Sequence, residues 1–181
     1  MIYGPREDSY LLQKYVKQIV KRGDKVLDMG AGSGIQAITA LEITGDVTAV
    51  DINPKALEKI KNEQPWVKAL ESDLFKNLNF NDKFDVIIFN PPYLPRDSRE
   101  PKDSSLSTTG GKEGHEIIQK FLKQARSHLE PQGIILLIYS SLSGDIENIA
   151  CFFGYNLEVL ETISFDFEKI HIAKLTAGIV K

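Results

Sequence analysis

Residues 90 to 93 read Asn-Pro-Pro-Tyr, directly after the apolar run Phe84-Asp85-Val86-Ile87-Ile88-Phe89. Neither Pro91 nor Pro92 can donate a backbone N–H, and both have a fixed φ. The segment therefore offers one side-chain amide, free carbonyls and one aromatic ring on a stiff frame. That set suits a flat, neutral –NH₂ group. Two acceptors can take its two hydrogens while Tyr93 stacks on its face. The preceding run reads as a buried strand bounded by Lys83 and the prolines. Asn90 then sits at the carboxyl end of a strand, where open α/β sheets bind their ligands. A double proline by itself would mean only a rigid turn. The amide at the strand tip and the ring after the prolines argue for chemistry.

Three more ligand signals fall on earlier strand ends. Asp28-Met29-Gly30-Ala31-Gly32-Ser33-Gly34 follows the first apolar run. Glycines such as Gly30 and Gly32 let a ligand approach the backbone closely. The spacing is G-x-G-x-G, and Ile35 stands where a dinucleotide fingerprint requires glycine. Asp28 would repel a phosphate but could accept from a ligand ammonium. Asp51 ends the run Val47-Thr48-Ala49-Val50. A carboxylate there can accept both hydroxyls of a ribose, or cap the helix that Pro54 opens. Beside the glycine loop, the ribose role is preferred. In Ser72-Asp73-Leu74 an acidic and an apolar side chain stand side by side, matching the edge and face of an adenine. Alone, an Asp after a strand is more often a turn residue.

The elements that must position these residues follow from hydrophobic periodicity. Leu11, Leu12, Tyr15, Val16, Ile19 and Val20 have helical spacing, with Asp8 or Ser9 as cap and Gly23 as stop. Strands are expected at 25–29, 47–52, 66–70, 84–89 and 134–139. Helices are expected at 34–41, from Pro54, from Ile117 to Leu129, and at 146–153. The segments 157–163 and 167–175 carry no helical pattern between them and read as a hairpin. Strands alternating with helices imply a doubly wound, mostly parallel α/β sheet, and the hairpin would make its last strand antiparallel. The chain reads as one domain, residues 1–181. The polar stretch 94–114 resists assignment. A loop of that length is functional or disordered, and it is expected to act as a mobile substrate lid.

Bulk composition narrows the function classes. The 181 residues are 42% hydrophobic and 26% charged, with net charge −3, as in an ordinary globular domain. The acidic balance argues against a protein that grips nucleic acid unaided. The single cysteine, Cys151, excludes an internal disulfide framework and fits a reducing, cytoplasmic setting; it reads as a small core residue. No secretory leader is visible, and no apolar run is long enough to span a membrane. The three histidines, His115, His128 and His171, are scattered, so no metal site is expected. His115 reads as a solvated or capping residue, Ser140-Ser141 lacks a nucleophile-elbow pattern, and Lys55, Lys59, Lys61 and Lys68 read as a solvated face.

Taken in order, these pieces resemble the class I methyltransferases that use S-adenosylmethionine. Among these, the chain most resembles the HemK/PrmC-type glutamine methyltransferases. The narrower part of the resemblance lies in Tyr3-Gly4-Pro5-Arg6-Glu7-Asp8-Ser9, similar to the family's Tyr-x-Pro-x-Glu-Asp-(Ser/Thr) opening. It also lies in Gly110-Gly111-Lys112-Glu113-Gly114, similar to its second glycine-rich segment. The resemblance implies a Rossmann-like fold with a seven-stranded sheet and helices on both faces. It implies that Ser9, Asp28, Gly30 and Gly32 face the methionine part of the cofactor, Asp51 the ribose, and Asp73 with Leu74 the adenine. Asn90, Pro91, Pro92 and Tyr93 would hold the target amide, with Asn90 also bordering the cofactor. Bacterial members carry an additional N-terminal helical domain, whereas this chain begins close to the cofactor domain. It is thus similar to the short archaeal and eukaryotic branch. Those members methylate the Gly-Gly-Gln glutamine of class 1 release factors together with a small zinc-binding activator. An edge strand at Trp66 to Leu70 would offer such a partner a place for strand addition. The competing reading is an adenine exocyclic-amine methyltransferase acting on DNA or RNA, because the same bracket fits that amino group.

Overall fold

The computed structural model describes residues 5–96 and 108–178. In chain order the elements are α1 (Glu7–Ile19), β1 (Lys25–Met29), α2 (Ile35–Leu41), β2 (Asp46–Asp51), α3 (Pro54–Glu63), β3 (Lys68–Glu71) and β4 (Phe84–Phe89). Two short strands follow, β5 (Leu94–Pro95) and β6 (Thr109–Gly111). Then come α4 (Glu116–Ala125), a 3₁₀ turn at Arg126–His128, β7 (Leu129–Ser140), α5 (Ile146–Phe152), β8 (Tyr155–Ser164) and β9 (Lys169–Ala177). Seven strands form one sheet in the order β3-β2-β1-β4-β7-β9-β8. The first five in that order run parallel, and β9 is antiparallel to both its neighbours.

The expected doubly wound sheet with an antiparallel last strand is therefore present. β9 does not lie at the edge, however; it inserts between β7 and β8. Burial explains the placement. Ile170, Ile172, Ala173 and Leu175 of β9 are buried, whereas much of β8 is exposed.

Side-chain alternation splits the core into two layers. From β4, Val86 and Ile88 join Leu12 and Val16 of α1, Ala37 and Ala40 of α2, and Ile60 of α3 on one face. Ile87 and Phe89 join Ile118, Phe121 and Leu122 of α4 on the other. Each large, fully buried side chain of this kind contributes about 1.5–3 kcal/mol. Both faces of β4 are thus covered, which fixes its tip rigidly.

Several sequence expectations shift. The helical pattern from Ile117 to Leu129 breaks at Ala125, because a 3₁₀ turn keeps similar spacing while Leu129 already pairs with Phe84 as the start of β7. The edge strand begins at Lys68, and Trp66 lies in the turn before it with 81% of its surface exposed. Cys151 is exposed rather than in the core, since α5 buries only Ile146 and Ala150. Arg6 occupies the N-cap of α1, so Asp8 and Ser9 lie inside the first turn and are buried there. His128 is buried and stacks on Phe75 with ring centroids 4.9 Å apart. Part of the unassigned stretch is ordered, because β5 and β6 pair with each other. The rest of the expected lid, residues 97–107, lies outside the described residues, as do Tyr3 and Gly4.

Candidate active site

The carboxyl ends of β1, β2, β3 and β4 open on one cavity of about 750 Å³. Its wall contains every residue assigned from the sequence to the cofactor or the target amide: Ser9, Asp28, Gly30, Gly32, Asp51, Asp73, Leu74, Asn90, Pro91, Pro92 and Tyr93. It also contains residues that sequence patterns did not mark for chemistry, notably Asp8, Gln36, Ile117 and Lys120.

The β1 and β2 side of the wall is built by backbone amides. Asp51 accepts from the Gly32 N–H and from the Asn53 N–H, each at 2.8 Å. Gly32 reaches that position with φ +51°, a conformation that a side chain would penalise. The cap of α3 is Asn53, whose side chain accepts from Lys55 N. Asp51 is thus not that helix's cap. Asp28 accepts from Ala37 N at 2.9 Å and is 2% exposed. Burial raises its pKa to about 7, and the charge of Asp51 adds to the rise against the Ala37 hydrogen bond.

Leu74 has φ +51°, the left-handed region for a residue with a β-carbon, and no other described non-glycine residue does so. Such a backbone stores roughly 1–3 kcal/mol and persists only where surroundings enforce it. Here the turn is held from both sides. Ser72 N donates to Asp51 O, and Ser72 Oγ accepts from Asn77 N.

The Asn-Pro-Pro-Tyr side is held differently. The Asn90 Nδ2 donates to Asp8 Oδ2 at 3.1 Å, and the Tyr93 hydroxyl donates to the same oxygen at 3.2 Å. Asn90 Oδ1 is buried and has no hydrogen-bond partner. From behind, Ser143 Oγ donates to the Tyr93 carbonyl at 2.6 Å. Ser143 is fully buried and also accepts from Ser140 N. The second glycine cluster wraps the bracket's backbone. A β-carbon on Gly110 would lie 2.2 Å from the Gly114 carbonyl oxygen and 2.7 Å from that of Pro92.

The donor set selects the ligand class. Among the described residues, four carboxylates line the cavity (Asp8, Asp28, Asp51, Asp73) against one amine, Lys120. Gln36 donates to Ser9 O and leaves its own buried Oε1 without a partner. A buried acceptor without a donor is expensive. This wall fits a ligand rich in donors and positive charge and repels a pyrophosphate. S-adenosylmethionine is such a ligand, with its ammonium, its ribose hydroxyls and its sulfonium. Among the described residues no cluster of His, Cys, Asp and Glu could hold a metal, and no helix is long and apolar enough to cross a membrane.

A doubly wound sheet with this acidic cavity at its strand ends and Asn-Pro-Pro-Tyr directly after β4 defines an S-adenosylmethionine-dependent methyltransferase. The chain belongs to the methyltransferase small domain family, whose model matches residues 8–167. A Methanocaldococcus jannaschii protein with a provisional assignment as a protein N5-glutamine methyltransferase is 36% identical over 94% of this chain and 89% of its own length. The release factor glutamine methyltransferase of Borreliella burgdorferi is 35% identical over 74% of this chain, which spans only 51% of that longer protein. Among solved structures, the E. cuniculi Mtq2–Trm112 complex, responsible for methylation of the eRF1 translation termination factor, matches with a TM-score of 0.77. The identity is 25%, over 97% of this chain and 98% of that one.

Proposed function

We propose that this protein transfers a methyl group from S-adenosylmethionine to the side-chain nitrogen of the Gly-Gly-Gln glutamine in a class 1 release factor. The observation that carries the reading is the buried, unpartnered Oδ1 of Asn90 beside a frame with no N–H of its own. It is an acceptor waiting for a donor. Support for the substrate class comes from the M. jannaschii, B. burgdorferi and E. cuniculi proteins.

When bound, the cofactor supplies an electrophilic methyl on a sulfonium leaving group. Asp51 takes the ribose hydroxyls, Asp73 and Leu74 the edge and face of the adenine, and Ser9, Asp28, Gly30 and Gly32 the methionine part. Asn90 Oδ1 and the Pro91 carbonyl accept the two N–H groups of the substrate amide. An amide nitrogen is a poor nucleophile because its lone pair is delocalised. The two acceptors orient it and stabilise the positive charge that builds on it. Pro92 keeps the frame stiff, and Tyr93 stacks on the planar group. The proton leaves the nitrogen for solvent during or after attack, so no titrating base is needed.

A small zinc-binding activator belongs to the same reading. Among the described residues no strand lies beyond the outer edge of β3, and exposed Trp66 adjoins it. An open edge of this kind accepts a partner's strand. The setting is cytoplasmic, where release factors work.

The test offers labelled cofactor, with and without the activator, to a release factor, to the same factor with its Gly-Gly-Gln glutamine replaced, and to nucleic acid. Label should appear on the intact factor alone. Label that survives glutamine replacement, or that appears only on nucleic acid, defeats the proposal.

A further inference from the structure

An asparagine amide has two nearly isosteric ends, one a donor and one an acceptor. Whether Asn90 attracts or repels an incoming –NH₂ depends on which end faces it. Shape alone does not decide this. The structure supplies what does: Asp8 Oδ2, which accepts from both Asn90 Nδ2 and the Tyr93 hydroxyl. An ionised carboxylate can only accept. With the amide turned over, two acceptor oxygens would meet at hydrogen-bond distance and the bond would be lost. The present orientation leaves Oδ1 as the buried, unpartnered acceptor.

Asp8 is itself held in place. It is 7% exposed, and its other oxygen accepts from Ser9 N at 2.7 Å. It rides on α1, which Leu12 and Val16 anchor in the core with no exposed surface. Its place in the Tyr3–Ser9 opening gives it no stated role beyond that of a helix cap, yet Arg6 is the cap and that side chain makes no cap bond.

Building on the proposed amide-methylating role, we infer that Asp8 is a positioning residue that locks the Asn90 amide with its oxygen toward the substrate and tethers the Tyr93 ring. It acts through those two side chains.

Four variants test this: Asp8→Ala, Asp8→Asn, Asn90→Ala and the double Asp8→Ala/Asn90→Ala. Each is measured for single-turnover methylation of a release factor with labelled S-adenosylmethionine, and calorimetrically for cofactor affinity. Asp8→Ala should lower the rate ~10²-fold, the scale set by losing a near-attack orientation, while cofactor affinity stays within about threefold. Retained affinity also shows that the variant folds. Asp8→Asn keeps an oxygen that can accept from both Asn90 and Tyr93 and should recover to within about tenfold of the parent. In the Asn90→Ala background, removing Asp8 should cost no more than about threefold further, since the group it orients is gone. The inference is overturned if Asp8→Ala is equally damaging with and without Asn90, if cofactor affinity collapses in step with rate, or if Asp8→Asn is no better than Asp8→Ala. A dead Asn90→Ala beside a fully active Asp8→Ala defeats this inference alone. An active Asn90→Ala defeats the amide-bracket reading beneath it as well.

Discussion

On the β1 and β2 side of the cavity, each carboxylate is held by amides from its own neighbourhood. Asp28 is held by Ala37, nine residues on, and Asp51 by Asn53 and by Gly32, 2 and 19 residues away. On the β4 side the bracket is held from afar. Asp8 is 82 residues from Asn90, and Ser143 is 50 from Tyr93. The first arrangement is local backbone geometry and tolerates change elsewhere in the chain. The second depends on α1, β4 and the turn after β7 all being packed correctly. A ligand shared by a whole enzyme class can be served by a local loop. A substrate amide that must be aimed needs a frame fixed from several directions.

Perturbations should separate the two halves. The largest effect is expected from Asn90→Ala: ~10²–10³-fold lower turnover, with cofactor affinity measured by calorimetry changing little. Next comes Gly110→Ala. Its β-carbon would meet the Gly114 and Pro92 carbonyl oxygens, so the bracket must move. Turnover should fall ~10²-fold while cofactor binding persists. A Gly110→Ala enzyme with normal turnover would mean the second glycine cluster does not fix the bracket.

Asp28 tests the other half through pH. Its pKa of about 7 exceeds the usual carboxylate value, so the folded state holds the proton more tightly than the unfolded chain. Its destabilising contribution is therefore absent below pH ~4, grows between pH ~4 and ~7, and is constant above that, reaching ~4 kcal/mol. Without cofactor, Asp28→Asn should gain stability over the parent, and the gain should widen from pH 5 to pH 8 in thermal melts. Cofactor affinity of the parent should rise as Asp28 ionises toward pH 7 and then level off. In Asp28→Asn that dependence should vanish. A parallel pH profile in both proteins would remove Asp28 from cofactor binding. The smallest effect is expected from Ser143→Ala, which deletes the hydrogen bond to the Tyr93 carbonyl and the one accepted from Ser140 N. Stability should drop by ~2 kcal/mol and turnover by less than about tenfold, with cofactor affinity unchanged.

The same division governs what could be read from the residues alone. The strands at 25–29 and 84–89 are short, largely apolar runs that lead into ligand-bearing residues, and both lie where expected. The glycine loop and Asp51 are local motifs, and the structure brings them to one cavity with Asp73 and Leu74. Asp8 was legible as a helix cap and as part of the Tyr3–Ser9 opening, but its contact with Asn90 was not, because that partner is 82 residues away in the chain. Ser143 sits next to a serine pair that carries no nucleophile pattern, and its role is visible only once the turn after β7 meets Tyr93. Gln36 hides inside an ordinary helical stretch. Cys151 and Trp66 were misplaced by composition and by strand propensity. Whether a small or aromatic residue on a short element faces inward depends on packing, not on type. The pairing of β5 with β6 involves a Pro and two glycines, residues that weaken any strand pattern.

The position of β9 has a consequence for synthesis. It leaves the ribosome after both of its sheet neighbours, yet it belongs between them, bonded to β7 on one side and β8 on the other. A nascent chain stalled before Lys169 would carry two unsatisfied strand edges at once, one of them the strongly apolar Ile134–Tyr139 segment of β7. Exposed apolar edges of that kind recruit other chains. Chains cut short before β9 should therefore be sticky rather than merely inactive, because β9 is what closes those two edges.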